Sequence, residues 1–320
     1  MRMIDLHCDT LWQMDRDDRL HLKANACAVD VEKLKEAESL AQFFACFIYM
    51  ADFTGEERFT EGYHKALEMI ERGKKEFADC ADEISLTCSF AELLSHEKEG
   101  RISAFLTIEE GGILEDDIHR LEILHEEGVR LMTLMWNYEN CIGFPASPEN
   151  AVMQSGLKPF GFKVVERMNE LGMLIDVSHM SDGGFWDVIK HSRQPVVASH
   201  SNVRQLCNHP RNLSDDMIKA LAEKGGVQGL NLYPYFLHES GNVTVSHMAS
   251  HLKHMYQVGG EDVVAIGTDF DGFDEGESDI THIGQMEKLY HALNKSGFTE
   301  RQLEKFWCKN ALRVMKEVFL

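Results

Sequence analysis

Residues 173–201 read MLIDVSHMSDGGFWDVIKHSRQPVVASHS and contain the unit that decides the fold. The stretch begins with an apolar run at 173–179 and ends with a second one at 195–201. Between them, 181–191 has the spacing of an amphipathic helix. The two runs are apolar on nearly every residue, as expected of strands whose two faces are both covered. The stretch therefore predicts a strand–helix–strand unit with parallel strands.

The same alternation recurs along the whole chain. The predicted strands are 3–9, 43–50, 102–110, 129–136, 173–179, 195–201, 227–233 and 263–270. The predicted helices between them are 56–77, 116–127, 160–171, 181–191, 214–224, 244–258 and 286–296. An open doubly wound sheet shares this alternation, but it usually has a Gly-rich phosphate loop after its first strand, where this chain has His7-Cys-Asp-Thr-Leu. The pattern favours an α/β fold with one domain over 1–320, a (β/α)8 TIM barrel with an additional C-terminal helix at 300–319.

The composition is that of an ordinary globular chain. Its 320 residues are 44% hydrophobic and 27% charged, and the net charge is −21. A negative surface repels phosphate backbones and anionic lipids, so we expect no nucleic-acid partner. The eight cysteines include no C-x-x-C pair and mostly lie in apolar runs, which indicates free thiols in a reducing compartment. The ends carry no signal-peptide or lipid-anchor pattern and no long apolar span occurs, so we expect a cytoplasmic protein without a membrane anchor.

Residue types that bind metals gather where the predicted strands end, which is the active-site end of a barrel. His7 and Asp9 are two residues apart and share a face of strand one. Strand three ends with Glu109 and Glu110, and because neighbours face opposite ways, at most one of them points into the opening. The remaining members, on strands five, six and eight, are His179, His200, Asp269 and Asp271. Each has a plain structural explanation when taken singly, but their common position predicts a metal site.

The residue types indicate which ions such a site would hold. Imidazole nitrogen with carboxylate oxygen suits Zn²⁺, with Mn²⁺, Co²⁺ or Fe²⁺ as alternatives. Three histidines, the aspartate of strand one and one glutamate of strand three make five ligands, which exceeds the three of a mononuclear catalytic site. Two ions about 3.5–4 Å apart that share one carboxylate would use all five. Such a pair generates a bridging hydroxide at neutral pH, and a spare aspartate can carry the proton.

These motifs resemble the membrane (renal) dipeptidase family, binuclear zinc peptidases of the metal-dependent amidohydrolase type with a (β/α)8 fold. The resemblance spans the chain and rests on the order of short motifs: Ile4-Asp-Leu-His-Cys-Asp-Thr, Glu110-Gly-Gly, Asp176-Val-Ser-His179, Ser199-His200-Ser, Arg211-Asn212 and Gly267-Thr-Asp269-Phe-Asp-Gly272. It implies two divalent metal ions, with Zn²⁺ expected, and a small dipeptide as substrate. A homodimer is an expectation from the family alone.

The resemblance also implies the metal ligands. One ion would be held by His7 and Asp9, the second by His179 and His200, and Glu110 would bridge them. The bridging hydroxide would then attack the peptide bond of a dipeptide with a free C-terminal carboxylate, including dipeptides with a D-residue in second position.

Five further residues are expected to contact the substrate or move its proton. By the resemblance, Asp269 is the catalytic proton shuttle and Arg211 binds the free carboxylate of the dipeptide. Tyr233 lies near a pocket tyrosine of the family. Where the animal enzymes have a histidine after strand four, this chain has Trp136 followed by Asn137, a pattern similar to that of bacterial relatives. An indole N–H donates one hydrogen bond and carries no charge, so this difference bears on substrate preference.

Two other functions are compatible with the same residues. A different hydrolase of this fold, acting on a lactone, cyclic amide or phosphotriester, would share the metals but would not need Arg211. A metal-bound barrel without catalytic activity, used as a binding or scaffold protein, is the second, and only Trp136 favours it.

Overall fold

The computed structural model describes residues 2–319, and within them eight parallel strands close into a barrel. The strands are β1 Met3–Cys8, β2 Ser39–Phe47, β3 Ile102–Glu109, β4 Val129–Thr133, β5 Leu174–Asp176, β6 Val196–Ala198, β7 Val227–Leu230 and β8 Val264–Ile266. Each strand pairs with the next along the chain, and β1 also pairs with β8, where Asp5 lies opposite Ile266. The predicted (β/α)8 TIM barrel is confirmed.

Helices surround the barrel. Their bounds are Thr10–Arg16, Val31–Glu36, Arg58–Asp79, Phe90–Glu99, Ile118–Glu126, Asn150–Met153, Pro159–Leu171, Asp182–His191, Asp215–Glu223, Pro234–Leu237, Val245–Gly259, Glu287–Lys295, Glu300–Glu304 and Asn310–Val318, with a π-helical turn at Lys305–Lys309 and 3₁₀ turns at Met50–Asp52, Gly111–Leu114 and Ile283–Gln285. The single C-terminal helix predicted at 300–319 therefore consists of two helices joined by the π turn. A short strand, Ile84–Leu86, lies outside the barrel beside β3.

The later strands are shorter than the sequence predicts. β5 ends at Asp176 and β6 at Ala198, so His179 and His200 lie on the loops that follow these strands. β4 likewise ends at Thr133 rather than at 136. The polar residues at the open end of the barrel are therefore held by loop backbone, and three of them, Glu110, His179 and Asp269, have positive φ values of 98°, 66° and 62°. Such backbone costs roughly 1–3 kcal/mol per residue and concentrates at functional sites.

Aromatic packing fills the barrel beneath its open end. Phe105 shares a strand face with Glu109, two side-chain layers deeper. The Phe43 ring stacks on Phe105 with centroids 4.7 Å apart, and Phe319 packs against the same ring at 5.3 Å. All three are buried, so the polar end of the barrel rests on a packed apolar floor.

Candidate metal centre and substrate cavity

His7 lies at the centre of the polar cluster. Its ring is fully buried, and among residues 2–319 neither ring nitrogen has a hydrogen-bond partner. Its Nε2 is 3.3 Å from Asp9 Oδ2, 3.4 Å from Glu109 Oε2 and 3.8 Å from Asp269 Oδ1. The first strand therefore places an imidazole among three carboxylates contributed by three strands.

Glu109, not Glu110, points into this cluster. While Glu109 Oε2 faces His7, its Oε1 is 3.0 Å from His179 Nε2 and 3.5 Å from His200 Nε2. Glu109 is the last residue of β3 and so continues the inward face of Thr107. One carboxylate thus touches both the β1 histidine and the pair of histidines on the opposite side.

The prediction that Glu110 is the bridging residue is therefore wrong. Its carboxylate points to the other side of the strand and accepts hydrogen bonds from Gly112 N (2.7 Å), Asn140 Nδ2 (2.7 Å) and Trp136 N (3.2 Å). Burial raises the pKa of Glu110 to about 6, and these three donors favour its ionised form. Through its hydrogen bonds with Trp136 and Asn140, Glu110 holds the loop after β4 against the end of β3.

His179 and His200 complete the cluster from the opposite side. Their Nε2 atoms are 3.0 Å apart, and burial lowers the pKa of both imidazoles well below the ordinary value. On the outer edge of each ring, His179 Nδ1 is 2.9 Å from Asn137 Oδ1 and His200 Nδ1 is 2.7 Å from Ser199 Oγ. Asn137, predicted to contact substrate, thus also orients a histidine.

The carboxylates of the cluster repel one another. Burial, with the charge of Asp9 adding to it, raises the pKa of Glu109 to about 8 and that of Asp269 to about 7. Burial disfavours a charged His7, but Glu109 and Asp9 outweigh that effect and raise its pKa. Burying several negative charges is costly unless positive charge accompanies them.

The donor set fits divalent cations. In two triplets, His7–Glu109–His200 and His7–Asp9–Asp269, one nitrogen or oxygen of each residue lies within 4.8 Å of the other two. The donors are buried except for the partly exposed Asp269, they mix imidazole nitrogen with carboxylate oxygen, and Asp9 Oδ1 has no hydrogen-bond partner in the described part of the chain. This combination is typical of zinc and similar ions.

Asp269 is held by a residue that the sequence analysis did not identify. Asn231, directly after β7, donates from Nδ2 to Asp269 Oδ2 at 2.7 Å and also to the His200 carbonyl at 3.2 Å. The available signal was an amide at the end of an apolar run, which is the position that identified the other site residues. Asn231 leaves the second oxygen of Asp269 directed towards His7.

Arg211 lies behind His200. Its Nη2 donates to the His200 carbonyl at 3.3 Å, its Nη1 to Ser201 Oγ at 3.4 Å, and its guanidinium lies over the Phe236 ring at 5.3 Å. Burial lowers its pKa to about 10, but this value is still well above 7, so the guanidinium is charged at neutral pH. Its hydrogen bonds are long, and Nε has no partner within residues 2–319. The charge is therefore available to an anion.

A cavity of about 370 Å³ opens above the cluster. One wall contains Trp136, which packs against Phe47 at 4.9 Å and lies 6.1 Å from the His179 ring. The other wall contains Tyr233, whose hydroxyl donates to Glu275 at 3.4 Å and whose ring packs against Phe236. Asn137 and Asp269 also line the cavity, so four of the five predicted substrate and proton-transfer residues surround one space. The fifth, Arg211, lies over the ring of Phe236, which lines the cavity too.

Among residues 2–319, no helix combines the length and the apolarity that a membrane crossing requires.

Comparison with known proteins identifies the family of this chain. Residues 1–319 match the model of the membrane dipeptidase family, peptidase family M19. An uncharacterised dipeptidase of Schizosaccharomyces pombe is 28% identical over 308 residues, which cover 91% of this chain and 72% of that protein.

Two solved structures are similar over nearly their whole length. The crystal structure of dipeptidase AC, a metallo peptidase of family M19, superposes with a TM-score of 0.92 at 25% identity, covering 100% of this chain and 99% of that one. A metallo peptidase of Rhodobacter sphaeroides, liganded with a phosphinate mimic of the dipeptide L-Ala-D-Ala, gives a TM-score of 0.90 at 24% identity with the same coverage. The chain thus belongs to the membrane dipeptidase family, peptidase family M19, and is a metal-dependent dipeptidase.

Proposed function

We propose that this dipeptidase cleaves dipeptides with a free C-terminal carboxylate, including those with a D-residue in second position, and that it uses two divalent ions, with zinc expected. The observation that carries the proposal is the position of Glu109, whose two oxygens face His7 on one side and His179 with His200 on the other. His7 and Asp9 would hold one ion, and His179 and His200 the second, with Glu109 between them.

Ions held there would polarise the scissile carbonyl and lower the pKa of water. The residues around them supply the rest of the reaction. Asp269 lies 3.8 Å from His7 and its pKa is raised to about 7, mainly by burial, so its carboxyl can take a proton from water and return it to the departing amine. Asn231 keeps that carboxyl in place.

Arg211 would bind the substrate carboxylate. Its guanidinium is buried, charged and weakly engaged, and a carboxylate offers the paired acceptors that suit it. With the carboxylate at Arg211, the second side chain of the dipeptide would face Tyr233 and Phe236, and the first would face the Trp136 wall. The proposal extends to D-residues because the Rhodobacter sphaeroides protein of the same fold was solved with a mimic of L-Ala-D-Ala.

The test combines metal analysis with a substrate panel. Purified protein is assayed for metal, then for hydrolysis of L-Ala-L-Ala, L-Ala-D-Ala and L-Ala-L-Ala amide, before and after chelation. We expect two equivalents of metal, cleavage of both free dipeptides, little cleavage of the amide, and recovery of activity when zinc is restored. Absence of stoichiometric metal, or hydrolysis that survives chelation, would contradict the proposal. Light scattering on the same sample tests the predicted homodimer.

A further inference from the structure

Beside Ser199, the residue before His200, lies a buried carboxylate that accepts four hydrogen bonds. Asp176 Oδ1 accepts from the backbone N–H of Ser178 at 3.0 Å and from that of Ser199 at 2.9 Å. Asp176 Oδ2 accepts from Thr133 Oγ1 at 2.7 Å and from Ser199 Oγ at 2.5 Å. Four donors occupy both oxygens, so this carboxyl group acts only as an acceptor.

This arrangement determines where the single hydroxyl proton of Ser199 lies. A carboxylate only accepts hydrogen bonds, so the Ser199 proton points to Asp176. The same oxygen is 2.7 Å from His200 Nδ1. Because its proton is already in use, Ser199 Oγ accepts there and His200 Nδ1–H donates. The proton of His200 is therefore on Nδ1, and Nε2 presents its lone pair towards Glu109, 3.5 Å away.

We propose that Asp176 and Ser199 are positioning residues of the metal centre, which together hold the His200 proton on Nδ1 so that Nε2 is free to bind a cation. The role rests on the proposed metal site, because the lone pair of Nε2 faces the atoms that would hold the ion with it, His179 Nε2 at 3.0 Å and Glu109 Oε1 at 3.5 Å. Groups that orient a metal-binding histidine in this way are typically worth 10–100-fold in metal affinity or activity.

Two substitutions should weaken zinc binding by different routes. In Ser199→Ala, the Nδ1–H loses its acceptor, and we expect zinc affinity at this site to fall roughly 10–100-fold. In Asp176→Asn, the two backbone N–H groups retain the amide oxygen, which turns the NH₂ towards Thr133 and Ser199. The amide then donates to Ser199, whose proton becomes free to point at His200 Nδ1. The His200 proton would move to Nε2, so we expect a loss at least as large.

Ser103 provides a matched control. It is a fully buried serine on barrel strand β3, and within residues 2–319 its hydroxyl has no hydrogen-bond partner. Ser103→Ala therefore removes a buried barrel hydroxyl without touching any histidine. We expect its zinc affinity to equal that of the parent protein.

The experiment measures transfer of zinc from the loaded protein to a competing chelator, together with histidine ¹⁵N NMR of the zinc-loaded form. The inference requires that His200 carries its proton on Nδ1 and that Ser199→Ala binds zinc more weakly than the parent, while Ser103→Ala binds it equally well. It also requires that the double variant, Asp176→Asn with Ser199→Ala, binds zinc no more weakly than the weaker of the two single variants. Circular dichroism checks that each variant is folded. If Asp176→Asn does not fold, the zinc affinity of Ser199→Ala tests the inference by itself.

Two outcomes would overturn the inference while leaving the proposed function intact. One is equal zinc affinity in Ser199→Ala and Ser103→Ala. The other is zinc-loaded parent protein in which His200 carries its proton on Nε2. Failure of the proposed function has a separate sign, since the parent protein itself would then bind no zinc or cleave no dipeptide.

Discussion

Glu109 and Glu110 are neighbours in the chain, yet they belong to two regions with different tasks. Around Glu109, carboxylates and imidazoles converge with few mutual hydrogen bonds, and the pKa of Glu109 is raised to about 8, mainly by burial. Around Glu110, three donors satisfy one carboxylate and hold a loop in place. The first region is arranged to hold positive charge, and the second is already complete. Identical side chains one residue apart therefore differ in role because a strand sends them to opposite faces.

The largest expected effect comes from the first region. Glu109→Gln removes the negative charge that both groups of ligands share, and an amide is a poor ligand for zinc. We expect hydrolysis of L-Ala-L-Ala to fall by more than the roughly 10²–10⁴-fold contributed by one proton-transfer residue. Steady-state kinetics at saturating zinc measure the loss. Activity within tenfold of the parent would place the shared ligand elsewhere.

Asp269→Asn should separate chemistry from metal binding. The amide retains the shape of the carboxyl and its contact with Asn231 but cannot carry the proton, so we expect kcat to fall about 10²–10⁴-fold. Metal content measured in the same preparation should be unchanged. If the metal is lost along with the activity, Asp269 is a ligand rather than a proton carrier.

Arg211→Met tests substrate recognition beside the first region. Loss of a charge-assisted hydrogen bond is worth about 1.5–3 kcal/mol, which is roughly a 10–150-fold rise in KM for free dipeptides. The control is the dipeptide amide, which lacks the free carboxylate. The parent protein should discriminate between L-Ala-L-Ala and its amide, whereas the variant should cleave them with almost equal efficiency. A variant that still prefers the free acid would show that another group binds the carboxylate.

The pH dependence of stability tests the first region. Burial raises the pKa of Glu109 from its ordinary value of 4.5 to about 8, so in the metal-free protein the neutral acid is favoured by folding. Between pH 4.5 and 8, the unfolded chain releases this proton while the folded one retains it, and stability falls as pH rises, by up to about 1.4 kcal/mol per pH unit for one proton. Urea unfolding of metal-free protein at several pH values measures the slope. Glu109→Gln should reduce it, and an unchanged slope would assign it to other groups.

The smallest expected effect belongs to the second region. In Glu110→Gln, one amide oxygen can still serve Gly112 and Asn140, but the NH₂ then faces Trp136 N–H and leaves that donor unsatisfied. We expect a loss of about 1–3 kcal/mol in the free energy of unfolding, with metal content retained. Denaturant unfolding of the loaded protein measures it, and a loss of metal without loss of stability would contradict the assignment.

The sequence predicted the barrel because strand and helix periods alternate through the whole chain, and local pattern is sufficient for that. It also predicted that His7, His179, His200 and Asp269 would lie at one end, since parallel strands bring their carboxyl ends together. Strand ends were less predictable: β5 and β6 stop before their histidines, and the loop after β5 has positive φ at His179.

Two parts of the site were beyond the sequence. The choice between Glu109 and Glu110 depends on which residue is the last to follow the strand alternation, and the Glu-Gly-Gly motif pointed to the wrong one. Asn231 and Ser199 donate to Asp269 and Asp176, which are 38 and 23 positions away, and nothing in their local sequence reveals these contacts. Such contacts arise from the closure of the barrel.

Metal content of Glu109→Gln and Glu110→Gln, purified side by side with the parent, is the most direct test of the central claim. Elemental analysis after dialysis against zinc should give two equivalents for the parent and for Glu110→Gln, and fewer than two for Glu109→Gln. The reverse result, with Glu110→Gln depleted and Glu109→Gln fully loaded, would contradict the account.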